Sequence, residues 1–343
     1  MALKSVTFGA YTYDSNTKAN YAVTTVDYNF APIEISDVDL AAVDYKFDAI
    51  ADASPSMTVS NPEAKTVATT KVTPQQNKVA VGNASDVDLN IPAGSTVARN
   101  TFAVVIANEN YQNVENVENA ANDGKVFAKY LTSTLGIPQN QVFAYTDASY
   151  GNMIDALDRI KNIAKAWSDF NVIFYYAGHG VPDEQSHEAY LLPIDGKPGS
   201  SAVNIALGKV YDTLGDLGAS SVLVMLDACF SGAQRGDGML AQARGVAIKA
   251  KATEPRGNMI VLAASQGDET AYPYKGKSHG LFTYFLLKKL QESRGDITLG
   301  DLADYIIDNV KKTSLLENNG KLQTPTARAS QSAPAWRSQK LTK

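Results

Sequence analysis

Five short apolar runs, interleaved with stretches of helical spacing, constrain this chain more than any other feature. The runs are 102–107, 141–145, 171–176, 221–226 and 258–264, and Phe102-Ala103-Val104-Val105-Ile106-Ala107 is apolar at every position. A strand with no polar face is one buried on both sides, as in a parallel sheet covered by helices. Between and after the runs, apolar residues return every three or four positions. Ala120, Val126, Phe127, Tyr130 and Leu131 do so within 117–134, and Ile154, Leu157, Ile160, Ile163 and Ala164 within 152–167. That spacing lines one face of a helix. Two more helices are expected at 279–292 and 298–312. The expectation is an α/β fold, a mostly parallel sheet with helices on both faces.

The alternation begins only at residue 101. Residues 1–100 hold no Cys, His or Trp, and a single Arg, Arg99. The β-formers of 6–13 and 21–30 flank a turn-like Asp14-Ser15-Asn16-Thr17-Lys18, which predicts an antiparallel hairpin. Ser54 to Gln76 is rich in Pro, Ser, Thr and Lys and reads as loop or weak strand. Ser36-Asp37-Val38-Asp39-Leu40 recurs as Ser85-Asp86-Val87-Asp88-Leu89, an echo too short to be a structural repeat. The expected organisation is a β-rich N-terminal region or prodomain over 1–100, then an α/β domain over 101–343.

Composition narrows the function classes. A net charge of −5 argues against a nucleic-acid partner, which needs a basic face. One cysteine excludes an internal disulfide and a cysteine-rich zinc site. No apolar run approaches the ~20 residues of a membrane helix. Met1-Ala2-Leu3-Lys4-Ser5 lacks the basic-then-apolar start of a signal peptide, so a soluble chain with neither signal peptide nor membrane span is expected, and its location is not fixed.

In open α/β sheets, ligands sit beyond the carboxyl ends of the strands. The third run is followed by Ala177-Gly178-His179-Gly180 and the fourth by Asp227-Ala228-Cys229-Phe230-Ser231-Gly232. If these strands are neighbours, the sole cysteine and one of three histidines share an edge. A lone cysteine is usually a small buried hydrophobe, and a lone histidine is usually structural. Together they have a chemistry, because a thiol beside an imidazole can reach the nucleophilic thiolate form at neutral pH. The glycines flanking His179 let the backbone turn and a substrate chain approach. Backbone N–H groups beside the nucleophile can hold the oxyanion of acyl transfer.

These residues carry a resemblance. His179 precedes Cys229 by fifty positions, and caspases place their His about 50 residues before the nucleophile. Tyr176-Ala177-Gly178-His179-Gly180 and Asp227-Ala228-Cys229-Phe230-Ser231-Gly232 resemble the caspase-family peptidases. Asp227, where caspases have Gln, and the extra residue before Gly232 are closer to metacaspases and paracaspases. The resemblance runs from about Phe102 to at least Val310 and includes Ala121-Asn122-Asp123 and His279-Gly280-Leu281-Phe282-Thr283-Tyr284. It also includes Ala264-Ser265-Gln266-Gly267-Asp268-Glu269-Thr270-Ala271. It implies a caspase-like sheet with helices on both faces, preceded by the smaller β-rich region.

The resemblance also implies roles. Cys229 would attack the scissile carbonyl, His179 would protonate the leaving amine, and the N–H groups of Gly180 and Cys229 would form the oxyanion hole. No third catalytic acid is required. Asp123 and Asp227 match the two pocket carboxylates with which metacaspases take Arg or Lys before the cut, and carboxylates are suited to grip a guanidinium. Ala177 stands where many metacaspases have Ser, which removes one pocket hydrogen bond. The implied partners are protein or peptide substrates, with a monomer as the working expectation. No cofactor is expected; no loop of EF-hand spacing is present, and calcium is left open. His187 reads as a solvated loop residue, His279 as structural, and Trp336 as a packing anchor.

Residues 230–257 form a long Gly-, Ala- and Gln-rich connection holding Arg235, Arg244, Lys249, Lys251 and Arg256. Loops of that length are often functional and are where proteolytic nicking concentrates. Self-cleavage is expected there, with Arg99 as a second candidate site whose cutting would release the N-terminal region. The leading expectation is thus a cysteine endopeptidase specific for Arg or Lys. The alternative is a caspase-like pseudoenzyme serving as a binding or scaffold module.

Overall fold

The computed structural model describes residues 85–230, 250–267 and 269–341. The hairpin expected at 6–30, the loop at 54–76, and Arg235, Arg244 and Lys249 lie outside the described residues.

The elements follow in order: β1 (Thr101–Ala107), α1 (Ala120–Ser133), β2 (Val142–Thr146), α2 (Tyr150–Ala166) and β3 (Asn171–Ala177). Then come β4 (Gly180–Pro182), β5 (Ala189–Leu191), β6 (Ile205–Ala206), α3 (Leu207–Gly215), β7 (Ser221–Asp227) and β8 (Met259–Ala263). Last are β9 (Pro273–Tyr274), β10 (His279–Gly280), α4 (Leu281–Ser293), α5 (Leu299–Glu317) and β11 (Thr326–Ala329). The main sheet has the order β11-β8-β7-β3-β1-β2. Every pairing in it is parallel except that of β11 with β8.

Alternation along the strands makes two cores. Phe102, Val104 and Ile106 of β1 join Val172 and Phe174 of β3 against Met153, Leu157 and Ile160 of α2 and Val210 and Leu214 of α3. Ala103 and Val105 join Ile173, Tyr175, Leu223 and Met225 against α1, α4 and α5. Successive side chains of a strand point to opposite faces, so a run apolar at every position feeds both layers. Two helix starts, those of α2 and α5, are fixed by polar caps. The Ser149 hydroxyl accepts from the Asn152 N–H in a reciprocal capping box, and the Thr298 hydroxyl accepts from the Asp301 N–H.

Four features were not expected from the sequence. A small antiparallel sheet of β4, β5 and β6 follows β3, and α3 follows it. β9 and β10 form a hairpin before α4, and β11 closes the sheet antiparallel. These strands are two to four residues long, too short for a readable hydrophobic period. Residues 85–99, read with the β-rich region, form turns that pack on the α/β unit. Val87 and Ala98 are buried, and the Val87 carbonyl accepts from the Tyr130 hydroxyl at 2.8 Å.

The strand order reverses between β1 and β3. β2 lies on one side of β1, and the chain then returns to the other side with β3. Such a switch point opens a crevice at the carboxyl ends of the two strands, the usual ligand position in this class of sheet. The segments leaving β1 and β3 carry Tyr111 and His179.

Candidate active site

β3 and β7 are parallel neighbours, and their register pairs Ala177 with Asp227. His179 and Cys229 therefore each stand two residues beyond one registered pair, at one edge of the sheet. Both are 4% exposed. Gly180 packs directly on the following turn, since a Cβ there would lie 2.6 Å from the Cys229 carbonyl oxygen and 2.7 Å from the Phe230 ring. Only glycine lets these two loops approach so closely. The Cys229 thiol accepts the Ala271 N–H at 2.7 Å from the loop before β9.

The His179 imidazole is held at Nε2, which lies 2.8 Å from the carbonyl oxygen of Glu115, in the loop between β1 and α1. A carbonyl only accepts, so Nε2 carries a hydrogen. The Tyr111 ring packs against the imidazole with centroids 4.7 Å apart.

Asp123 and Asp227 are both fully buried, which contradicts any view of Asp123 as a solvated helix residue. They converge on the first turn of α4. Thr283 donates its hydroxyl to Asp227 Oδ2 at 2.6 Å, with the Tyr175 hydroxyl 2.7 Å behind it. The Gly280 N–H, at the N-cap of α4, faces both Asp123 oxygens at 3.1 and 3.2 Å. The positive end of a helix dipole offsets part of the cost of burying these charges.

Asp123 has a second neighbour that the sequence did not reveal. His279 is fully buried, with Nδ1 2.7 Å from Asp123 Oδ1 and Nε2 2.7 Å from Asp88 Oδ1. Ionised carboxylates accept only, so both ring nitrogens are placed to donate, the arrangement that suits an imidazolium. Burial opposes that charge, but the hydrogen bonds and charges of Asp123 and Asp88 outweigh it and raise the pKa above 6.5. His279 is structural, as expected, although it sits in the β9–β10 hairpin rather than in the helix.

The remaining residues fall elsewhere. His187 is exposed in its loop, and Trp336 is half-buried against the core. Among the described cleavage candidates, Arg99, Lys251 and Arg256 are exposed. Arg256 pairs with Asp212 and Asp216, while the Arg99 carbonyl accepts from Gln141 Nε2 at 2.9 Å. Lys251 lines an open cleft of about 920 Å³ between α2 and α3 that none of the residues around Cys229 enters. Among the described residues, no group of three His, Cys, Asp or Glu is placed to hold a metal ion. None of their helices is long and apolar enough to cross a membrane.

Tyr111 and Glu115 escaped sequence reasoning, while Tyr176, Ala271 and Thr283 stood in the segments that carry the resemblance without a role of their own. One signal was available for Tyr111 and Glu115: they follow β1 at the same sheet edge.

A solved structure shares this architecture. A crystal structure of a protein from Geobacter sulfurreducens matches with a TM-score of 0.50 at 18% identity, covering 70% of this chain and 97% of that one. Caspase-1 from Spodoptera frugiperda matches with a TM-score of 0.46 at 12% identity, covering 70% and 90%. No curated protein matches. A family model described as the caspase domain matches residues 100–343, well over half of the sequence, and the chain belongs to that family of cysteine peptidases.

Proposed function

We propose that this chain is an endopeptidase that cuts after Arg or Lys through a Cys229–His179 dyad and is activated by self-cleavage, in the manner of metacaspases. The observation that carries the reading is the placement of both residues two positions beyond the registered Ala177–Asp227 pair. With Nε2 donating to Glu115, Nδ1 is the nitrogen that takes the thiol proton and later gives it to the leaving amine. The Cys229 thiolate attacks the carbonyl carbon, and the N–H groups of Gly180 and Cys229 receive the oxyanion. The bond to nitrogen breaks as the amine is protonated. Water activated by the same imidazole then hydrolyses the thioester.

Asp227 and Asp123 supply the acidic wall for the basic side chain. The His279 imidazolium lies against Asp123 and offsets its charge, so Asp227 is the stronger attractor of the two. Of the described candidates in this connection, Arg256 suits self-cleavage poorly, since its backbone packs on Gly215 and its side chain is ion-paired.

A second reading, a binding module of the same fold, is favoured by one observation: the Cys229 thiol is almost fully buried and engaged by the Ala271 N–H. One experiment separates the readings. The full chain and Cys229→Ala are incubated with a peptide library, and the products and the intact masses of both proteins are measured. The endopeptidase cuts after Arg or Lys and shortens itself only when Cys229 is present. A binding module does neither, and cutting after Asp refutes the pocket assignment.

A further inference from the structure

The backbone of His179 is gripped on both sides. Its N–H donates to the Tyr111 hydroxyl oxygen at 2.8 Å. Its carbonyl accepts from the Tyr176 hydroxyl at 2.7 Å and from the Leu192 N–H at 3.0 Å. The ring closes on Leu192, whose carbonyl lies 3.3 Å from the Tyr111 hydroxyl and 3.0 Å from that of Tyr176. Asn108 Nδ2 donates to the same carbonyl at 3.1 Å, tying the end of β1 to the arrangement.

Gly178 exists to admit this pair. A Cβ at that position would lie 2.5 Å from the Tyr111 hydroxyl oxygen and 2.8 Å from that of Tyr176. Both hydroxyls are buried, and burial raises their pKa well above the ordinary value, so both keep their hydrogen. Tyr111 comes from the segment after β1 and Tyr176 from the end of β3, so the two hydroxyls span the switch point of the sheet.

We propose that Tyr111 and Tyr176 are positioning residues for His179. Their hydroxyls fix its peptide while the Tyr111 ring backs its imidazole, and together they set the orientation of that ring. The proposal rests on the dyad reading above. It makes an asymmetric prediction. Tyr111→Phe keeps the ring but removes the acceptor of the His179 N–H. Tyr176→Phe removes one of two donors to the carbonyl, which keeps the Leu192 N–H.

The test uses the full chain, the two variants, and Tyr145→Phe as a control, since that hydroxyl bonds Asp155 far from the cysteine. Three quantities are measured: kcat and KM on an Arg peptide, the unfolding midpoint, and the pH dependence of iodoacetamide alkylation. Cys229 is the only thiol, so alkylation reports one site. Tyr111→Phe should lower kcat about tenfold to a hundredfold with KM within about twofold, as expected when a catalytic group is slightly misaimed. It should also displace the alkylation profile along the pH axis. Tyr176→Phe should do the same more weakly, and Tyr145→Phe should match wild type.

An unchanged kcat with a superimposable alkylation profile in Tyr111→Phe overturns the proposal. So does a kcat loss that tracks a collapsed midpoint while the profile stays put, because packing alone would do that. If wild type cuts no peptide of any sequence, or Cys229→Ala cuts as well as wild type, the dyad reading fails instead. The alkylation profile still judges the grip on His179 in that case.

Discussion

Asp88→Asn tests whether the segment before the caspase domain belongs to its fold. His279 is fully buried and Asp88 is 18% exposed, so the imidazolium depends on Asp88 for its second partner. Removing one partner from a fully buried ion pair costs about 3–5 kcal/mol. Water reaches the partly exposed Asp88 position and Asn keeps an acceptor there, which lowers the expected loss to about 1–3 kcal/mol. The pH dependence follows from the raised pKa of His279. Below 6.5, its ordinary value, the ring is protonated in folded and unfolded chains alike, and the stabilisation is complete. As pH rises from there through the folded pKa, the stabilisation is lost. The gap between wild type and Asp88→Asn should therefore be widest near pH 5–6 and should close at higher pH, where a neutral Nε2 facing a carboxylate gains nothing. Urea unfolding from about pH 5 to about pH 9 measures the gap. With only three histidines in the chain, ring NMR signals follow His279 directly. Parallel stability curves for the two proteins, or a His279 that titrates at its ordinary value in wild type, would refute the reasoning.

Other expectations follow from the same geometry. Cys229→Ala and His179→Ala should each abolish peptide cleavage while shifting the unfolding midpoint little; loss of acid–base assistance alone typically costs about 10²–10⁴-fold, and turnover assays check this. Asp227→Asn should raise KM for Arg peptides more than Asp123→Asn does, because Asp123 already shares its charge with His279; steady-state kinetics on Arg and Lys peptides decide. A chain cut after Arg99 should keep its N-terminal fragment bound through the contacts of residues 85–98, and size-exclusion chromatography without denaturant should show one peak.

The parallel sheet was legible in the sequence because its strands are long and apolar on both faces. Val104 and Val105 both point into a core, and nothing polar interrupts the signal. The shared edge of His179 and Cys229 was legible because glycine-rich strand ends advertise a turn there, and the register of β3 on β7 then puts the two residues at matching heights. The supporting shell was not. Tyr111 and Tyr176 act through hydroxyls that reach backbone atoms of residues distant in sequence, and a tyrosine at a strand end looks the same whether it grips a peptide or fills a core. His279 illustrates the same limit. Its partners Asp88 and Asp123 come from opposite sides of β1, 191 and 156 positions away, and no local pattern joins them.

The match to the caspase domain begins at residue 100, but the packed unit does not begin there. The Gly94 N–H donates to the Ser133 carbonyl at 2.8 Å, and the Ala98 N–H donates to the Gly136 carbonyl at 2.9 Å. A Cβ at Gly94 would lie 2.1 Å from the Thr134 carbonyl, and one at Gly136 would lie 1.9 Å from the Thr96 carbonyl. Backbones that close need glycine on both sides, so the fit is specific to this segment and not a loose tail resting on a helix. Asp86 reinforces it with Lys277, Lys288 and the Tyr284 hydroxyl, and Gln291 donates to the Asp86 and Leu89 carbonyls. Three of those four residues lie on α4, the helix whose first turn holds Asp123 and Asp227. The stretch from Ser85 to Arg99 is thus part of what fixes the first turn of α4, where Asp123 and Asp227 are held, and a cut at Arg99 would change how that turn is held rather than uncover it.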